Sequence, residues 1–156
     1  PHLQVLTLGG LVSDINDDAD DKEAGEILTS LNLLPSLKHL TLKNWNLTFK
    51  SRYQLFPQLL MKLKVLSFHQ STTLTARGIE YMFNASSSIT LQSFDVTDGQ
   101  LDDNALTRLL LSLPQAKQLV TVQLRGNGLG KLKENTFLRL AEMVKGLQSL
   151  QHLGLA

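Results

Sequence analysis

The chain has 156 residues, 42% apolar and 19% charged, which is enough for one domain with a real core and gives it the balance of an ordinary soluble protein. Its 15 basic and 14 acidic side chains leave a net charge of +1, so no global field draws it to nucleic acid or to a membrane surface. No run approaches the roughly 18 apolar residues of a membrane span, and the lack of cysteine removes disulfides, thiolate metal sites and cysteine nucleophiles and favours a reducing compartment.

In chain order, the first element is a strand on Leu3, Leu6 and Leu8. An acidic stretch follows: seven of the 14 acids are Asp14, Asp17, Asp18, Asp20, Asp21, Glu23 and Glu26. Asp14, Asn16, Asp18 and Asp20 alternate as calcium ligands do, yet Ala19 replaces the glycine that such a loop needs and Gly25 its bidentate glutamate. Acidic residues leading into a helix, whose N-terminus stabilises negative charge, are the simpler reading. Ala24, Ile27, Leu28 and Leu31 place that helix over 22–33.

Leu37, Leu40 and Leu42 form the next strand. Lys38, Lys43, Lys50, Arg52, Lys62 and Lys64 follow the acidic stretch with no acid among them, so neighbouring regions carry opposite charge. Trp45, the single tryptophan, is expected to be buried in the turn after this strand. Pro57 makes 50–61 the weakest helical segment. Leu63, Leu66 and Phe68 form a strand before a helix at 76–84, and Leu91, Phe94 and Val96 form another.

The helix over 103–113 uses Leu106, Leu109, Leu110 and Leu113 and is stopped by Pro114. Leu119, Val122 and Leu124 make a strand that Gly126, Asn127 and Gly128 turn away, after which Leu129 returns to the core. A last helix over 134–145, on Phe137, Leu138, Ala141 and Val144, closes at Gly146 as its C′ residue. Leu150, Leu153 and Leu155 end the series.

The pattern apolar-x-x-apolar-x-apolar therefore occurs six times, with starts 34, 26, 28, 28 and 31 residues apart. Spacing of that length, with helical segments between, predicts stacked strand–helix units around a shared interior. The chain resembles the leucine-rich-repeat family, in its ribonuclease-inhibitor-like class. The resemblance implies an α/β solenoid: a curved horseshoe of six repeats, with a concave parallel sheet and convex helices. Asn127 matches the family's turn asparagine, while Leu11, Trp45, Ser71 and Gly99 stand at the corresponding positions elsewhere. The strand motif sits close to both ends and the chain opens on Pro1, so a fragment of a larger protein, with self-association through uncapped ends, is expected.

The common register lists the outward columns of the sheet. One column holds Val5, His39, Val65, Ser93, Thr121 and His152, and the next Thr7, Thr41, Ser67, Asp95, Gln123 and Gly154. A third holds Gly9, Lys43, His69, Thr97 and Arg125, with Asp98 beside it. Hydroxyls, amides and mixed charge suit a wettable protein-binding surface, and Lys43, His69, Asp95, Asp98 and Arg125 are the candidate contacts.

Catalysis and metal binding fare poorly. His39 and His69 are four positions apart along their strands, roughly 13 Å at about 3.3 Å per residue, too far to share an ion. Ser67 and His69 lie about 6.6 Å apart on one strand, where a nucleophile and its base need about 3 Å. No phosphate-cradling loop is present, since the glycines around Asn127 lack the following lysine and serine. No enzyme activity, cofactor or metal is expected.

Within the family, LPSLKHLTLKNWNLT (34–48) is similar to a repeat of the NOD-like receptors of innate immunity. That resemblance implies a non-enzymatic module of a cytoplasmic receptor that senses a protein or microbial ligand and holds neighbouring domains of the same receptor inactive, with no nucleic-acid or membrane partner. An alternative is a GTPase-activating or inhibitor-type protein. An activator needs an exposed Asn or Arg at a turn edge, and Asn127 and Arg125 are its candidates.

Overall fold

The structure is a computed structural model, and it describes residues 2–10, 18–47, 53–54, 56–70, 72–129 and 133–155, with main chain alone over 18–24. In chain order the elements are β1 (Val5–Gly9), α1 (Asp18–Leu31), β2 (His39–Lys43), β3 (Asn46–Leu47), α2 (Phe56–Leu60) and β4 (Val65–His69). β5 (Thr73–Leu74), α3 (Ala76–Asn84), β6 (Ser93–Thr97), α4 (Asp103–Ser112), a 3-10 turn (Leu113–Gln115), β7 (Thr121–Gln123), α5 (Glu134–Gly146) and β8 (His152–Gly154) follow. The acidic stretch over 14–23, Leu11 and Ser71 lie outside the described side chains.

Six strands form one parallel sheet in the order β1-β2-β4-β6-β7-β8, and β3 and β5 form a separate parallel pair. Leu6, Leu40, Leu66, Phe94, Val122 and Leu153 fall in one row of register. The four central members of that row have no exposed surface. Alternation decides this: with a period of two, every second side chain enters the same interior. The strand order never reverses, so the sheet has no switch-point crevice of the kind that holds nucleotides in doubly wound sheets.

The expectation of a leucine-rich-repeat horseshoe of six equivalent units is corrected here. The described residues form eight strands in two sheets and five helices of 14, 5, 9, 10 and 13 residues, and no closed solenoid. The class is mixed α/β with an open six-stranded parallel sheet. The strand motif fixes the register of pairing, but it does not dictate what the intervals build. Those intervals differ in length and in breakers, so the return segments do not repeat.

Local chemistry explains the helices. Thr75 caps α3 by accepting from the Gly78 N–H, and Asp102 caps α4 by accepting from the Ala105 N–H. Pro57 lies in the first turn of α2 instead of interrupting it, where its missing N–H costs nothing. Pro114 likewise opens the 3-10 turn after α4. Gly146 is the last residue of α5, with Leu147 as its cap, one position later than the expected end. At α1 the Lys62 ammonium reaches back to the carbonyls of Leu31, at 2.8 Å, and Leu34, at 2.9 Å, placing positive charge on the helix C-terminus. Burial, and then the charge of Lys38, lowers the pKa of that ammonium.

The core is a chain of rings between sheet and helices. Tyr53, Phe56, Phe68, Phe94 and Phe83 contact one another in succession with centroids 5.8 to 6.1 Å apart. The Tyr53 ring occupies the space where a Cβ on Gly78 would stand, so α3 can approach only with glycine there. Toward the sheet edges the packing thins: Leu8, Leu153 and Leu155 are only partly buried. On α5, Phe137 and Leu138 are exposed.

Candidate functional site

The site begins with the face of the sheet that the core does not use. Across β2, β4 and β6 the register sets Thr41, Ser67 and Asp95 in one row and Lys43, His69 and Thr97 in the next. These side chains alternate with the buried leucines and phenylalanines, so the same pattern that fills the interior forces them outward. Most remain half-buried, and Ser67 is the most enclosed at 7% exposure.

Two of the five candidate residues touch. His69 Nε2 lies 3.1 Å from Asp95 Oδ2, and the Thr97 hydroxyl donates to Asp95 Oδ1 at 2.6 Å. The side chains of His69 and Asp95 are 31% and 23% exposed, which leaves them reachable from solvent. Lys43 is the register neighbour of His69 on the opposite side. Thr97 was legible as a member of the outward column, but its hold on Asp95 was not.

The other two candidates form a separate group at the strand ends. The Asp98 N–H donates to the Arg125 carbonyl at 2.9 Å. Asp98 Oδ1 sits where a Cβ on Gly126 would stand, and Gly126 has φ +69°, so two constraints demand glycine at this turn. Asn44, Gln70 and Asp98 take the same left-handed conformation, with φ of 56°, 53° and 55°, each directly after its strand. Asp98 and Arg125 are exposed, and the Arg125 side chain forms no ion pair with a described residue.

Asn127 is buried and serves the turn. Its amide donates to the carbonyls of Val96, at 2.7 Å, and Arg125, at 3.0 Å, while its oxygen accepts from the Gly99 N–H at 3.0 Å. Thr72, fully buried, does the same work two strands away. Its hydroxyl lies 2.8 Å from the His69 carbonyl and 3.3 Å from the Leu42 carbonyl, and it accepts from the Trp45 N–H. Val96, Arg125 and Gly99 correspond by position to Leu42, His69 and Trp45. Thr72 stands one residue beyond the position that matches Asn127, where a fixed-position comparison cannot find it. Trp45 is buried, as its turn position implied, and its indole N–H donates to the Leu8 carbonyl at 3.2 Å.

The hydrogen bond of His69 goes to Asp95 and not to Ser67, so the base and the hydroxyl do not form a nucleophile pair. A cleft of about 570 Å³ opens at the N-terminal ends of α3 and α4, beside Tyr53, Arg77, Tyr81 and Asn104. Its Thr75 and Asp102 oxygens are engaged by the helix starts, and the Tyr53 hydroxyl accepts from the Thr75 N–H at 2.9 Å. Burial raises the pKa of that phenol above its ordinary value, and the Thr75 contact offsets only part of the rise. No helix among the described residues is long and apolar enough to cross a membrane. Compared with protein-family models and with curated proteins, the chain matches none.

Proposed function

We propose that the chain is a non-enzymatic recognition module that binds a protein partner through the outward face of the six-stranded sheet. The observation that supports this is the register: three columns of mostly polar side chains, with Val5 and Val65 as apolar members, stand in line across the strands while their neighbours in sequence fill the core. Lys43, His69, Asp95, Asp98 and Arg125 give that face both signs of charge, and hydroxyls of Thr41, Thr97 and Thr121 surround them. Such a surface selects by complementarity of hydrogen bonds and charge more than by apolar area.

The run 34–48 supports a cytoplasmic innate immune receptor of NOD-like kind as the setting, with a protein or microbial ligand or a neighbouring domain of the same receptor as partner. The activator reading is weakened, because Asn127 is buried in its turn and leaves Arg125 alone. Affinity capture with the chain and with a Lys43→Ala, Asp95→Ala, Arg125→Ala variant tests the proposal. Proteins retained by the chain and lost by the folded variant support it. Equal retention by both transfers the contact to the helical side.

A further inference from the structure

His69 offers two ring nitrogens with different surroundings. Nε2 meets Asp95 Oδ2, whose carboxylate is already held at Oδ1 by the Thr97 hydroxyl. An ionised carboxylate only accepts hydrogen bonds, so the proton of this contact belongs to Nε2. Nδ1 has no hydrogen-bond partner among the described residues. Among the described residues the buried side-chain atoms without a partner are Asn32 Oδ1 and Gln123 Oε1, and the His69 side chain is 31% exposed.

We propose that Thr97, Asp95 and His69 form a directed relay that holds His69 on the outward face as a hydrogen-bond acceptor through Nδ1. Thr97 orients the carboxylate, and the carboxylate fixes the imidazole with its proton on Nε2. In that tautomer Nδ1 carries a lone pair and can accept one hydrogen bond from a partner. Lys43 on β2 is the register neighbour of His69, and Asp95 on β6 contacts its ring. The positive charge of Lys43 on the neighbouring strand disfavours a cationic group, so the group that fits Nδ1 is an uncharged donor, a hydroxyl or an amide N–H. The partner chemistry rests on the recognition reading above; the relay itself does not.

The test therefore uses the free protein. In ¹⁵N-labelled chain, long-range proton–nitrogen spectra at pH 8 should show His69 Nε2 protonated and Nδ1 with lone-pair character. A downfield imidazole N–H resonance correlated with Nε2 is expected, and it should be lost in Asp95→Ala and weakened in Thr97→Val. His39 and His152, exposed on the same face, serve as internal controls. Protonated Nδ1 at pH 8, or an Nε2–H resonance that is absent or survives in folded Asp95→Ala, overturns the proposal. Failure to find any binding partner leaves these spectra unaffected and counts only against the recognition reading.

Discussion

The two faces of the sheet are made by the same strands and behave as opposites. On β6, Phe94 and Val96 are fully buried, while Ser93, Asp95 and Thr97 point the other way and stay half-exposed. The inner face is held by volume, because each ring touches the next and a lost ring leaves a void. The outer face is held by very little, and its polar groups contact one another at the His69–Asp95–Thr97 cluster. Stability and the proposed recognition thereby fall to alternate residues, and substitutions can separate them.

Phe94→Ala should have the largest effect. The ring bridges Phe68 and Phe83, and its removal is expected to cost about 3–5 kcal/mol in a denaturant titration. A loss below about 1 kcal/mol would show that the inner face is not close-packed and would break the comparison. Asn127→Ala comes next, at about 2–3 kcal/mol, because it strands the Gly99 N–H and the Val96 carbonyl in a buried turn. Thr72→Val, which preserves shape, should cost about 1–2 kcal/mol by the same mechanism; equality with the wild type would deny Thr72 the role assigned to it.

Tyr53→Phe removes one hydrogen bond to the Thr75 N–H and should cost about 1 kcal/mol near neutral pH. Its pH signature is sharper. The folded phenol has a raised pKa, so the folded state keeps its proton where the unfolded chain loses it. That contribution is fully present below pH 10.0 and is lost as pH rises through the folded value. Thermal melts from pH 8 upward should show the wild type losing this increment while Tyr53→Phe does not; parallel curves would refute the assignment. The smallest effect on stability belongs to the outer face. The triple replacement of Lys43, Asp95 and Arg125 by alanine should change unfolding free energy by less than about 1 kcal/mol, as expected for polar sites that solvent reaches, while abolishing partner capture. Unfolding of that variant would mean that the two faces are not independent.

The strands were legible because alternation is a local signal read against a single interior. Leu37, Leu63, Leu91 and Leu119, each the first apolar residue of its motif, are all fully buried. The helices at 76–84 and 103–113 were legible from their period, and their caps, Thr75 and Asp102, were not. The region around Pro57 was not, because a proline reads as a breaker until its place in a first turn is known. The pair β3 and β5 was also missed, since two residues carry no period. Of the candidate site, the columns could be written down from register alone, whereas the contact of His69 with Asp95 is diagonal between strands and depends on rotamers.

By itself the sequence determined where chain segments lie parallel and which side chains of the central strands turn inward, because pleating ties direction to residue parity; it did not do so for the last helix, whose Phe137 and Leu138 are exposed. Only the tertiary structure decided how many distinct elements the intervals build, that Thr72 closes a turn, and that Thr97, Asp95 and His69 meet. These depend on distances between segments some 25 to 30 residues apart, as in the 26-residue separation of His69 and Asp95, and no local propensity encodes them.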